Sequence, residues 1–382
     1  MQADPTAPVT APADPAAGPT APRPRLAWVD AARGWCVVAV VLFHVIAWSA
    51  RRLPVAGLPA GVWDDVNMVL GNLRMPVLLA VSGLVLSRAV RAGASRAGTV
   101  TRAAGSYYLY LVWVAVYVLF YLLVREPTLP HRLDLADLPA ELVVPTTPLW
   151  YVLALAVYVL VLPALQRVPA PVVLTALVVL STGSQVLDRL DGRLGEPLGL
   201  KVPSLFLFFA LGVHAAPHLR RLAERSTLPV VVIGGVLSLG LMEVGRFVPA
   251  AWGAALYDLR GVVFLVFSLT AVAWACRWAP VRDLGQWLGR RTLGVYVLHP
   301  LLIALLLVLQ LGPLSGAFAA VVRTPLGGAL YPLAVTAVLV ATAIGLQHLA
   351  ERTPARVLFA VPAGLRARVA GTPPQPAVVP AA

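Results

Sequence analysis

Charge is scarce in this chain. Only 12% of its 382 residues are charged, against 59% hydrophobic, about half the charged share of an ordinary soluble domain. That shortage excludes a water-soluble globule. Cysteine is nearly absent: Cys36 and Cys276 both lie in apolar runs, which excludes a disulfide framework and a thiolate metal site. The histidines form no H-E-x-x-H pattern or other ligand spacing, so no metal is expected. No internal repeat is visible, which disfavours a secondary transporter. The first 24 residues are an Ala/Pro-rich polar tail without an apolar core, so no removable signal peptide is expected. This tail and the Pro-rich end from about Gly371 are expected to be disordered.

Long apolar runs are what the chain has in abundance. Runs suited to a bilayer core of about 30 Å lie near residues 31–50, 66–86, 106–124, 149–165, 171–187, 203–216, 229–248, 259–278, 292–311 and 330–349. The expected fold is therefore an all-α polytopic membrane protein of about ten helices, with the fourth and sixth spans short. The membrane domain is expected over 25–352, between the tail of 1–24 and a Pro-rich tail over 353–382. An even number of spans leaves both termini on one side. Connections on that side, counted with the tails, carry more than twice as many basic residues as the opposite loops, so the positive-inside bias places both termini in the cytoplasm. The formal charge of +13 follows from this topology and calls for no nucleic acid.

Within the first run stand Arg33 and His44, eleven residues apart. At 3.6 residues per turn this is about three turns, so the two side chains share a helix face roughly 16 Å apart. An ionisable group at the bilayer centre costs at least about 2–3 kcal/mol unless paired or hydrated, which makes each a candidate functional residue. Asp30, one turn before Arg33, either orients that guanidinium or forms a plain interfacial ion pair. Arg74 on the second run needs a partner, and Glu243 on the seventh run is a candidate for it or for Arg246. The functional alternative places Arg74 at an acceptor or a developing oxyanion, with Glu243 at the acceptor. Ser82-Gly83 reads as a close helix contact.

Four segments in order carry a resemblance: Arg25-Leu26-Ala27-Trp28-Val29-Asp30-Ala31-Ala32-Arg33-Gly34 followed by His44, then Met75-Pro76-Val77-Leu78-Leu79-Ala80-Val81-Ser82-Gly83, then Leu149-Trp150-Tyr151, and finally Tyr296-Val297-Leu298-His299-Pro300. This series resembles the acyltransferase-3 family of integral membrane acyltransferases, over residues 25 to about 349. One departure stands out. The connection before the third helix carries the single Arg102 where the family has paired arginines, with Arg96 the other arginine nearby.

The resemblance implies transfer of an acyl group, typically acetyl from acyl-CoA, to a hydroxyl of a carbohydrate or a glycosylated small molecule at the cell membrane. Acyl-CoA would be a co-substrate, with no permanently bound cofactor. His44 is then the general base, suited by an ordinary pKa near 6.5, with Asp30 assisting. Arg33 and Arg102 would bind the donor, and Arg74, Glu243, Tyr296 and His299 would face the acceptor. His299 also reads as a helix-fixing residue, and Trp150 as a belt residue. A polytopic exporter of a glycan or small molecule is the alternative from another class, because it too places polar groups inside a bundle.

Overall fold

The computed structural model describes residues 26–54, 58–91, 96–190 and 198–370; the tail of residues 1–24 and the end from Gly371 lie outside them. Among the described residues the chain is helical throughout: α1 (Ala27–His44), α2 (Leu58–Arg91), α3 (Arg96–Leu123), the single turn α4 (Leu138–Glu141), α5 (Trp150–Ala164), α6 (Ala170–Leu190), α7 (Leu198–His214), α8 (Ala216–Glu224), α9 (Leu228–Phe247), α10 (Ala250–Ala275), α11 (Ala279–Gly289), α12 (Thr292–Leu311), α13 (Ser315–Arg323), α14 (Pro325–Glu351) and α15 (Ala363–Ala370).

Eight helices among the described residues are long and apolar enough to cross a membrane. The fourth and sixth expected spans, the two expected to be short, are the ones outside those eight. Helix α5 has 15 residues, about 22 Å, because residues 124–149 turn back beside α3 before it begins. Helix α7 meets α8 at a bend of 74°, where Pro217 in the first turn of α8 cannot continue the preceding hydrogen-bond ladder. Amphipathic α8 then buries Ala216, Leu219 and Ala223.

Lipid is as apolar as leucine, so helices in a bilayer associate through close packing and hydrogen bonds. The α2–α7 contact illustrates the packing. A Cβ at Gly83 would collide with the Phe209 carbonyl, and one at Gly212 with the Ala80 carbonyl, so the two backbones touch where side chains are missing. Ser82-Gly83 thus serves the contact its sequence suggests. Gly34 does the same for α1 against the Gly285 carbonyl of α11, holding the start of α1 in place. Helix α9, by contrast, lies at the periphery and exposes Ile233, Val236 and Leu237.

Residues 354–370 begin the expected tail, yet they are packed. The Trp113 indole donates to the Leu358 carbonyl (2.7 Å) and the Tyr108 hydroxyl to that of Val357 (3.3 Å). These bonds dock the segment on α3.

Gly83→Ala should lower stability in detergent by about 1–3 kcal/mol, the usual range for overpacking. Gly240→Ala, at a site with no atom within 4 Å of the added Cβ, should not. Thermal unfolding of the two variants checks this, and equal midpoints would refute the close-contact assignment.

Candidate active site

Helix α1 changes character just past its last regular residue. Val45–Ser49 is a π-helical turn and Ala50–Arg52 a 3-10 turn. Such turns are uncommon and leave backbone groups in need of new partners. Here the partner is Gln310 on α12: its Nε2 donates to the Ser49 carbonyl (3.0 Å), while the Ser49 hydroxyl donates to Gln310 Oε1 (2.7 Å). The Tyr331 hydroxyl lies 2.6 Å from Ser49 Oγ and donates to it, since the Ser49 proton is engaged. All three residues are buried.

His44 stands immediately before this turn. Its Nδ1 is 2.8 Å from the Val40 carbonyl oxygen, an atom that only accepts, so Nδ1 carries the proton. His299 Nδ1 lies 3.2 Å from the Val295 carbonyl and carries its proton for the same reason. His299 Nε2 is therefore a lone pair, and it sits 3.2 Å from His44 Nδ1. One proton on His44 is shared between a carbonyl and a second imidazole. His44 Nε2 is left with a lone pair and makes no hydrogen bond among the described residues.

That imidazole lines a cavity of about 400 Å³. Phe43, Ala47, Trp48 and Arg51 line it from α1 and the turns after it, Arg74 and Met75 from α2, and Tyr296 from α12. The Arg74 guanidinium lies 3.3 Å above the Phe43 ring, a cation–π contact, and donates to the Leu70 carbonyl (3.3 Å). Trp48 packs between His44 (4.3 Å) and His131 (5.2 Å). Tyr296 spends its hydroxyl proton on the Pro148 carbonyl, which ties the end of the 124–149 loop to α12. The loop is braced further by Glu141, a fully buried carboxylate. It accepts from the Thr146 and Thr147 hydroxyls (2.6 Å each) and the Tyr110 hydroxyl (3.1 Å).

The structure thus brings together His44, His299, Arg74 and Tyr296. It sets the other candidates apart. Arg33 does not line the cavity; it is half-buried, donates to Thr292 Oγ1 (3.3 Å), and its Nε has no partner among the described residues. Buried Val37 and Val40 lie between it and His44 on α1. Asp30 forms no ion pair with Arg33 among the described residues, and its carbonyl abuts Gly289. Arg102 is exposed and reaches only the Gly98 carbonyl of its own helix (3.5 Å); the Arg96 side chain lies outside the described residues. Glu243 does not meet Arg74. It pairs with Arg246 (3.4 Å), which also approaches Asp65 (3.5 Å), and both members are about half exposed. The i,i+3 spacing and water access favour that partner over a guanidinium inside the bundle.

His131, Trp48, Lys201 and Tyr257 line the cavity without having been singled out by their sequence surroundings. His131 did carry a faint local signal, since it sits in the polar stretch Thr128-Leu129-Pro130-His131-Arg132. It adopts a positive φ of 51°.

A family model described as an acyltransferase domain matches residues 26–346, nearly the whole described bundle. No curated protein and no solved structure matches the chain.

Diethyl pyrocarbonate, which acylates an unprotonated imidazole nitrogen reached from solvent, should modify His44 in the folded protein and spare His299, which is fully buried. Peptide mass spectrometry reads both sites. Equal labelling of the two before denaturation contradicts the assigned geometry.

Proposed function

Given that this chain belongs to the acyltransferase-3 family and is a multi-pass membrane acyltransferase, we propose that it moves an acyl group, most simply acetyl, from acyl-CoA to a hydroxyl of a carbohydrate or glycosylated small molecule. The observation that carries this reading is the His44 imidazole, which lines a cavity while its Nδ1 is held by Val40 and His299 and its Nε2 makes no hydrogen bond among the described residues. The chain sits in the cell membrane with both its termini on the cytoplasmic side, and α1 crosses it, so that Arg33 faces the donor and the His44 cavity the acceptor.

In the reaction, the acceptor hydroxyl oxygen attacks the thioester carbonyl carbon as His44 Nε2 takes the hydroxyl proton. The C–O bond forms, and the carbonyl oxygen becomes an oxyanion in the tetrahedral intermediate. Arg74, buried in the same cavity, offsets that charge in a medium of low dielectric, where such help is strongest. Collapse breaks the C–S bond, and the imidazolium returns the proton to the departing CoA sulfur. His299 acts as a positioning residue: it holds the His44 ring in one tautomer and accepts from Nδ1–H throughout, as the third member of a hydrolase triad does without its full charge. At the other end of α1, Arg33 binds the phosphates or pantetheine of the donor and Asp30 helps order that end, while Arg102, exposed on α3, adds a further cationic contact for the donor. Because Val37 and Val40 are buried between Arg33 and His44, loading the donor requires α1 to part from its neighbours there.

His44→Ala should cut transfer of labelled acetyl from acetyl-CoA by about 10²–10⁴-fold, the share a positioned base supplies, with membrane insertion intact. Retention of more than a tenth of the activity rules out His44 as the base. His299→Phe should lower kcat at least about tenfold, part of that same contribution, with KM nearly unchanged. His299→Gln, whose Oε1 can accept the His44 proton, should recover part of the loss. A KM effect without a kcat effect contradicts the positioning role.

A further inference from the structure

Helix α11 is too short to cross a bilayer. Its 11 residues cover about 16 Å, and they lie between two spanning helices, α10 and α12. One face is pressed on α1, where a Cβ at Gly285 would meet Ala31 and one at Gly289 the Asp30 carbonyl. The other exposes Leu284 and Trp287, with Arg290 exposed just beyond them. A helix of this composition fits the plane where acyl chains meet headgroups. Beside it a second cavity, about 460 Å³, opens at the end of the bundle that holds Arg33. Trp287, Arg290 and Arg291 line it from α11 and the turn that follows, and Gln347, His348 and Glu351 from the last two turns of α14. It shares no lining residue with the His44 cavity.

The charged groups of this cleft are held by their own helices. The Arg291 guanidinium donates to the Trp287 carbonyl (2.9 Å) and lies 4.4 Å from the centre of that indole, which fixes its charge at the cavity wall and leaves further N–H donors to spend. Glu351 accepts from the Gln347 amide (2.8 Å). Neither arginine forms an ion pair among the described residues, and Asp283, on the same helix as Trp287, pairs with Arg282 (2.9 Å). Two guanidiniums less one carboxylate leave a single net positive charge, with His348 neutral.

We propose that this cleft binds the headgroup of an anionic phospholipid, with its phosphodiester on Arg290 and Arg291 and its chains along Leu284, Trp287 and Ile344. Nothing in this depends on acyl transfer. Arginine forks match phosphate oxygens two at a time, and basic clefts between membrane helices are suited to lipid phosphate. A choline or ethanolamine headgroup brings its own cation beside the guanidiniums, so the net charge favours a headgroup in which the phosphate charge stands alone. A plain positive-inside anchor needs neither a cavity nor a second helix. Here Ile344 adds an apolar wall next to the charges, and the bound phosphate bridges α11 to the end of α14.

The test uses the full chain purified in a neutral detergent, with phosphatidylglycerol or phosphatidylcholine of identical acyl chains added in parallel. The expected result is a saturable rise in the unfolding midpoint of at least about 3 °C with phosphatidylglycerol, the size that binding to the folded state produces, and less than about a third of that with phosphatidylcholine. The Arg290 side chain makes no hydrogen bond among the described residues, so Arg290→Gln should keep the lipid-free midpoint and lose at least about half of the rise. Arg290→Gln combined with Arg291→Gln should abolish it. Arg167→Gln, at an exposed arginine between α5 and α6, should retain it in full. Native mass spectrometry of the unsubstituted chain should show phosphatidylglycerol surviving detergent removal in preference to phosphatidylcholine. Equal shifts with the two lipids, or a rise that the substituted chains keep in full, overturn the site. Equal stabilisation by glycerol phosphate or adenosine bisphosphate assigns the cleft to a soluble anion and overturns the lipid.

Discussion

The site depends on where one proton sits. His44 lies in an apolar bundle in which any imidazole will take whatever hydrogen bond is nearest, and a ring free to flip or rotate would offer its lone pair to the cavity only part of the time. The Val40 carbonyl at 2.8 Å and His299 Nε2 at 3.2 Å both draw on Nδ1–H. This fixes the tautomer and leaves Nε2 as the lone-pair nitrogen of a ring that lines the cavity. His299 is held in turn by the Val295 carbonyl, so the orientation passes from the α12 backbone to the reactive nitrogen through two rings. Pro300 follows His299 directly and lacks an N–H, which relieves the Tyr296 carbonyl of its usual helical donor.

The same accounting explains the shape around the pair. A π turn in a membrane helix exposes backbone groups that lipid cannot satisfy, and Gln310, Ser49 and Tyr331 satisfy them with a closed, directed set of bonds. In return the turn re-aims Trp48 across His44 toward His131. On the other wall, the buried Glu141 gathers three hydroxyl donors and fixes the loop whose Pro148 carbonyl receives the Tyr296 proton. Each irregular segment is covered by polar side chains from elsewhere in the chain, and together these segments bound the cavity.

Hydrophobic runs and short motifs made much of this readable in advance. Eight of the ten expected spans coincide with helices long and apolar enough to cross a membrane, because crossing a bilayer demands a length of apolar sequence that nothing else requires. His44 was legible as an ionisable group where one is expensive, and the helical spacing put it on a face with Arg33. What stayed hidden depends on pairings across 100 to 260 positions, such as His44 with His299 or Ser49 with Gln310, which no local period encodes. The shortness of α5 was legible in its short apolar run, but the reason for it was not. Its cause is the returning loop, held by Glu141, whose hydroxyl partners Tyr110, Thr146 and Thr147 come together only in the fold. For Glu243 the sequence left two partners open, and the structure selects Arg246, one turn away on the peripheral α9, over Arg74.

Arg33 and the cavity are separated on one helix, and that separation constrains any mechanism built here. The acidic and basic groups do not run as a continuous polar path from Arg33 to His44; Val37 and Val40 are buried between them. A transporter would need that path to open alternately to either face. An acyltransferase needs no such alternation: under the proposed reading only a narrow thioester arm has to pass those valines, and the acceptor never has to pass His44. The glycine contact that seats Gly34 against the Gly285 carbonyl of α11 holds the Arg33 end of α1 fixed, whereas the π turn gives the other end its freedom from a regular ladder. Opening is therefore most easily accommodated between the two, at the valines, where only van der Waals contacts must be exchanged for those of the incoming donor.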